Sequence, residues 1–226
     1  MLSGKVPWNL KAVLSIHVLR LGVGLLLVRF LYPLLFTVTP FIIEVTDRLV
    51  VIGLVWLTVR NCGGDFSKLG FTLDHLALNI LKGMAVGFIL LAVSIFSEKI
   101  YTTMLFITPA EHPLVVQAEK ATTWQQLISP LFLAGVLAPL SEEVLYRLFT
   151  FLPMQERWGF WGGAIASSMV FAAMHFNLYW LGEMIIVGVG LAFVYYATGS
   201  LISAIIAHAV INTSKILMLF YGIPLG

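Results

Sequence analysis

Apolar runs of about 20 residues recur along the chain, each long enough to cross a hydrocarbon core of about 30 Å as a helix. They fall at 12–36, 39–59, 78–97, 127–151, 160–178, 180–198 and 200–220, and they predict about seven spanning helices, within a range of six to eight. The first two are interrupted by Arg20, Arg29, Glu44, Asp47 and Arg48. Residues 60–77 read as a polar connector rich in turn residues. Residues 98–126 read as the longest loop, holding Glu98, Lys99, Glu111, His112, Glu119 and Lys120, with room for a short amphipathic or re-entrant helix. The first residues give a mildly basic lead into the first run. No small-residue cleavage site follows, so that run is kept as a span. The expected fold is all-α and polytopic, a single integral membrane domain over 1–226 with a site in a membrane-embedded cavity.

Composition removes the soluble alternatives. Sixty per cent of the residues are hydrophobic and 11% are charged, against roughly a quarter charged in soluble domains. A fold of this size has no interior large enough for that much apolar surface, so the bilayer acts as the solvent. A net charge of +2 with no two basic residues adjacent gives no nucleic-acid surface. The one cysteine, Cys62, excludes an internal disulfide framework. Lys5, Lys11, Arg60, Lys68 and Arg157 share one side when the N-terminus is cytoplasmic, with Lys99 and Lys120 opposite. The expected location is the cell inner (plasma) membrane.

Ionisable groups in hydrocarbon cost about 2.5–3.5 kcal/mol each on insertion scales, so each needs a reason. The fourth run holds Ser141-Glu142-Glu143-Val-Leu-Tyr-Arg147. Residues four apart share a helix face, so Glu143 and Arg147 can pair in the favourable acid-before-base order. Glu142 lies about 100° around the helix from Glu143 and about 140° from Arg147. It therefore has no partner on its own helix and must face a polar cavity or take up a proton. The fifth run leads through small residues to Phe171-Ala-Ala-Met-His175, and the seventh carries His208-Ala-Val-Ile-Asn212 with imidazole and carboxamide on one face. If the turns at 152–159 and 199–200 lie on one membrane surface, Glu142 is roughly 15 Å deep, His175 roughly 22 Å, His208 roughly 12 Å and Asn212 roughly 18 Å. All four then sit near the middle of the membrane, and helix tilt absorbs the spread.

Each element also has a plainer explanation. A Glu–Arg pair serves as packing glue about as often as chemistry, and a lone intramembrane His or Asn is usually an interhelical hydrogen-bonding residue. Phe171 reads as packing, Glu44, Asp47 and Arg48 as interfacial charges pairing with one another or with headgroups, and Glu183 as interfacial. Lys82 can snorkel, and Gly83-Met-Ala-Val-Gly87 fits a common close helix contact. The combination at matching depth is what points to a site.

The ordered set EExxxR (Glu142, Glu143, Arg147), FxxxH (Phe171, His175) and HxxxN (His208, Asn212) on three spans resembles the CAAX-protease and bacteriocin-processing family, which includes the type II CAAX prenyl endopeptidases. The resemblance covers about 128–214 and implies a core at 126–215, with 1–125 as less characterised N-terminal spans. It implies hydrolysis of a peptide bond near a hydrophobic or lipidated segment, with no covalent intermediate. Glu142 and His175 would activate a water, and His208 and Asn212 would donate to the oxyanion. Glu143 and Arg147 would hold the motif helix. A carboxylate with a raised pKa suits the base role. No Ser-His-Asp or Cys-His arrangement is legible beside this set. The expected site holds no cofactor. The alternative is zinc on Glu142, His175 and His208, with water as fourth ligand. A different class also fits buried Glu and His: a non-catalytic immunity protein or a proton-coupled carrier. Partners are the lipid bilayer and a peptide or membrane-protein substrate.

Overall fold

A computed structural model describes residues 5–35, 37, 39–107 and 113–223. Glu111 and His112 lie outside the described residues. These residues form helices and no strand: α1 (Leu10–Leu35), α2 (Pro40–Asn61), α3 (Leu76–Leu105), α4 (Pro113–Lys120), α5 (124–151), α6 (Leu152–Ala173), α7 (Leu181–Thr198) and α8 (Leu201–Phe220). The all-α, multi-pass expectation holds. Backbone groups in hydrocarbon must bond within their own segment, and helices do this.

Five helical stretches among the described residues are long and apolar enough to cross a membrane, fewer than the seven runs predicted. The difference has two sources. Trp124–Ala173 is one 50-residue helical stretch, broken at Gly159, whose φ of 71° and ψ of 178° are not helical. Only glycine adopts that region at no steric cost, so the chain folds back there without a loop. The second source is α2, a 22-residue helix that carries Glu44, Asp47, Arg48 and Arg60. Two boundaries also move. α3 runs on to Leu105, which takes Glu98 and Lys99 out of the expected loop, and α4 is the short helix for which that loop had room. The run at 160–178 ends as helix at Ala173, so His175 sits in the turn that follows.

α5 is the centre of the bundle. Residues 141–153 are buried without exception, and Tyr146, Leu148, Phe149 and Phe151 join Val55, Leu191, Tyr195 and Leu201 in one core. Leu14, Leu25, Leu81, Phe96, Ile128 and Trp161 point outward, each more than 60% exposed, as a lipid-facing surface requires. α3 and α8 pack closely because Gly83 and Gly87 lie against the backbone at Ser203 and Ala207, where a Cβ would collide.

The two ends of the bundle are distinct. At one, the Val6 amide donates to Glu156, the Trp8 indole donates to Phe149 O at 2.9 Å, and the Leu201 amide donates to Gly70 O at 2.9 Å. The N-terminal segment, the 62–75 connector and the 152–159 and 199–200 turns therefore gather there, as the depth calculation supposed. At the other end Tyr101 donates to Leu178 O at 3.0 Å, and Trp124 packs on Phe220 with ring centroids 5.2 Å apart.

Candidate active site

The motif residues meet inside the bundle. Residues 143–151 form a π-helix, whose wider register still leaves residue i+4 on the same face. Arg147 Nε lies 3.1 Å from Glu143 Oε2, with both side chains fully buried. The Arg147 guanidinium makes no aligned hydrogen bond within the described residues. Its charge is met by Glu143 and by the face of Phe171, 4.8 Å from Cζ. Phe171 is thus more than packing: its edge also meets the His175 ring at 4.8 Å.

Glu143 also reaches α8. Its Oε1 lies 2.8 Å from His208 Nδ1, so that nitrogen donates to the carboxylate and His208 Nε2 is left facing Glu142 Oε2 at 3.8 Å. On the other side, His175 Nδ1 donates to the Phe171 carbonyl at 2.7 Å, a bond that closes the end of α6. This leaves His175 Nε2 facing Glu142 Oε1 at 3.9 Å. Both separations exceed a direct hydrogen bond and suit a bridging water. In neutral His175 the free Nε2 is an acceptor.

Asn212 is tied down by a helix defect. Residues 133–137 also form a π-helix, in which the Ala138 amide reaches back to Leu133 O. The next amide would bond Ala134 O, but position 139 is proline and has no N–H. Asn212 Nδ2 fills the vacancy, donating to Ala134 O at 2.9 Å. One Nδ2 hydrogen remains for another acceptor. The Trp8 bond to Phe149 O repeats this device, four residues before Pro153.

Glu142 has no ion-pair partner on its own helix among the described residues, as expected, and the partner it does have comes from another helix. Arg48 Nη1 of α2 lies 2.9 Å from Glu142 Oε1, while Nη2 binds Glu44 Oε2 at 3.1 Å. Asp47 pairs with Arg20 of α1 at 2.9 Å, and Arg20 also donates to Tyr146 at 3.2 Å. Four of the five charges that broke up the first two apolar runs, Arg20, Glu44, Asp47 and Arg48, find partners among one another or on α5. They line one cavity with Glu142.

Glu183, in the first turn of α7, is buried within the protein. Lys215 Nζ lies 2.7 Å from Glu183 Oε1 and 3.2 Å from Glu98 Oε2, and Ser94 donates to Glu183. Lys215 follows Asn212 by three residues on the same face of α8, so this triad shares a cavity of about 190 Å³ with Glu142, Phe171, His175, His208 and Asn212. Its remaining wall is apolar, with Met184, Val187 and Ile211 at mid-depth and Leu114 of α4, Trp180 and Leu219 towards one end. The signal for the triad was available: a Lys and two Glu within apolar helices must find one another.

Glu142, His175 and His208 converge, yet among the described residues no three His, Cys, Asp or Glu side chains are arranged to hold a metal ion. Arg48 also places a positive charge beside the carboxylate, where a dication would need room. Both features weigh against a dication at this position.

With the geometry in place, the comparisons with known proteins align with it. Residues 124–214 match the family model for type II CAAX prenyl endopeptidase Rce1-like proteins. The chain carries an Rce1-like segment. That segment contains Glu142, Glu143, Arg147, Phe171, His175, His208 and Asn212, and leaves α1 to α4 outside. The chain is 27% identical over 88 residues to "Putative membrane peptidase YdiL" of Bacillus subtilis (strain 168), covering 39% of this chain and 36% of that protein. It is 30% identical over 114 residues to an "Uncharacterized 24.3 kDa protein" of Escherichia coli, covering 48% of this chain and 52% of that protein. The matches thus span about a third to a half of these relatives. No solved structure matches the chain.

Proposed function

We propose that this protein is an intramembrane endopeptidase that hydrolyses a peptide bond near a hydrophobic or lipidated segment, by a metal-free water-activating mechanism. The observation that carries the proposal is the convergence of His175 Nε2 and His208 Nε2 on Glu142, at 3.9 and 3.8 Å, beside an apolar cavity. A water held between Glu142 and His175 gives up a proton to them, and its oxygen bonds to the scissile carbonyl carbon. The oxyanion then collapses, the C–N bond breaks, and the leaving nitrogen takes up the proton that Glu142 and His175 drew from the water, which restores both groups. With Nδ1–H committed to Glu143, donation from His208 Nε2 to the oxyanion calls for the imidazolium form. Asn212 supplies the second donor from its unused Nδ2 hydrogen.

Arg48 anchors Glu142 Oε1, the oxygen that also faces His175 Nε2, while Oε2 faces His208 Nε2, so the carboxylate is held in place between the two imidazoles. The apolar wall suits a hydrophobic stretch of substrate, and the similarity to a protein named as a membrane peptidase favours the same class. The setting is the plasma membrane, with the N-terminus cytoplasmic on the lysine and arginine distribution.

The test is peptide cleavage by detergent-purified protein, with a chelator arm and elemental analysis. Glu142→Gln should abolish cleavage while the protein stays folded, since Arg48 keeps Glu44 as partner. Activity should survive chelation. One tightly bound zinc per chain, with activity following its removal and return, would replace the mechanism and keep the residues. Cleavage by Glu142→Gln at the natural rate would remove the proposal altogether.

A further inference from the structure

The N-terminal helices lie outside the Rce1-like match, yet they build a second chamber against Glu142. It has a volume of about 270 Å³, room for several waters. Arg20, Glu44, Asp47, Arg48, Glu142 and Tyr146 form its polar wall. The character is the reverse of the apolar cavity on the other side of Glu142. Arg48, Glu142 and His175 line both, so these three side chains stand at the boundary between the chambers.

The polar wall is not internally satisfied. Arg48 makes one contact to Glu44 and one to Glu142, against five available N–H donors. The carboxylates of Glu44 and Asp47 retain further lone pairs and are 34% and 27% exposed. Charged groups left this way in hydrocarbon would cost several kcal/mol each, whereas a polar cavity of this size holds water. Hydrolysis consumes one water per bond cleaved, and a substrate filling the apolar cavity would exclude water from that side.

We propose that α1 and α2 enclose a water reservoir that delivers the hydrolytic water to Glu142 from the side opposite the substrate, with Arg48 as the positioning residue at its mouth. This rests on the hydrolytic reading above, but its water content can be tested without any cleavage.

In a Cys62→Ser background the chain has no other cysteine. Gly24→Cys and Val50→Cys place thiols on the chamber wall from α1 and α2. A Cβ at Gly24 meets nothing closer than Asp47 Oδ1 at 4.0 Å, so the site tolerates it. Leu25→Cys, at a position 66% exposed on the lipid side, is the control. With the protein in phospholipid vesicles, a small cationic methanethiosulfonate reagent should modify both chamber thiols at least tenfold faster than Leu25→Cys. Chamber thiols as slow as the control, while Cys62 of the natural chain reacts, would overturn the reservoir.

The delivery role is tested by filling the chamber with Gly24→Leu, and with Val50→Phe as an independent block. Either should lower kcat at least tenfold with KM unchanged. Full kcat in a correctly folded, filled variant would overturn delivery. No cleavage by the natural chain would instead refute the hydrolytic reading, and the labelling result would still decide the reservoir.

Discussion

Glu143 holds two things at once, and removing its charge separates them. Glu143→Gln keeps the volume and one acceptor for His208, but it leaves Arg147 as a buried guanidinium with only the Phe171 face, 4.8 Å away, to meet its charge. A desolvated cation–π contact contributes about 2 kcal/mol, whereas stranding one member of a buried ion pair costs about 3–5 kcal/mol. Against a total stability of about 5–15 kcal/mol, that is a large fraction. At about 2–4 °C per kcal/mol for a chain of this size, Tm should fall by roughly 6–20 °C. The assay is thermal unfolding in detergent micelles, read from the intrinsic fluorescence of the six tryptophans. Adding Arg147→Met removes the stranded charge, and an apolar replacement of a buried pair is often neutral or stabilising. The double variant should therefore recover most of the lost Tm. Cleavage should stay depressed, because His208 no longer has a charged carboxylate at 2.8 Å to hold its ring. A single variant that melts within two degrees or so of the natural chain, or a double variant less stable than the single, would refute this account of the pair.

Asn212→Ala should lower kcat by about 10²–10³ through loss of an oxyanion donor. It should also cost about 1–3 kcal/mol of stability, because Ala134 O loses the Asn212 donor that stands in for the missing Pro139 amide. Melting and kinetics on one preparation separate the two effects, and an unchanged kcat would remove Asn212 from the site. Lys215→Met should depress expression and Tm by leaving Glu98 and Glu183 facing each other, and Lys215→Arg should rescue both. A Met variant as stable as the natural chain would show that the triad does not hold α3, α7 and α8 together. Reporter fusions should place 62–75 and 152–159 on the cytoplasmic side and α4 on the opposite side, and α4 on the same side as 152–159 would contradict the bundle.

The candidate site on α5, α6 and α8 was legible because its pattern is local. The i, i+4 spacings of Glu143 with Arg147, Phe171 with His175 and His208 with Asn212 each fix a helical face, and the apolar runs fix depth. The Glu143–Arg147 pair forms as spacing predicted. The bond from Glu143 to His208 did not follow from spacing, because it crosses 65 positions. Likewise the second duty of Asn212 depends on a π-turn and a proline at 133–139, and hydropathy cannot register a shift from i+4 to i+5 bonding. The Gly159 fold-back was hidden for a related reason: a single residue with positive φ replaces a connector, so two apolar runs become one helical stretch.

The N-terminal half was less legible. Arg20, Glu44, Asp47 and Arg48 lower the hydropathy of the first two runs, and on hydropathy alone they argue for weak spans or interfacial placement. The cost of a charge in hydrocarbon supports the opposite inference. Four such residues in two helices can persist only by pairing across helices or facing water. The structure shows the pairing: Arg20 with Asp47 between α1 and α2, and Arg48 divided between Glu44 and Glu142 on the wall of a polar cavity. On helix α5 Glu142 is a carboxylate without a partner, and on helix α2 Arg48 is a cation with one spare hand. Each is expensive alone, and each explains the other. Counting unpaired intramembrane charges of both signs along the whole chain, and requiring them to cancel, would have brought α2 to the site before any coordinates existed.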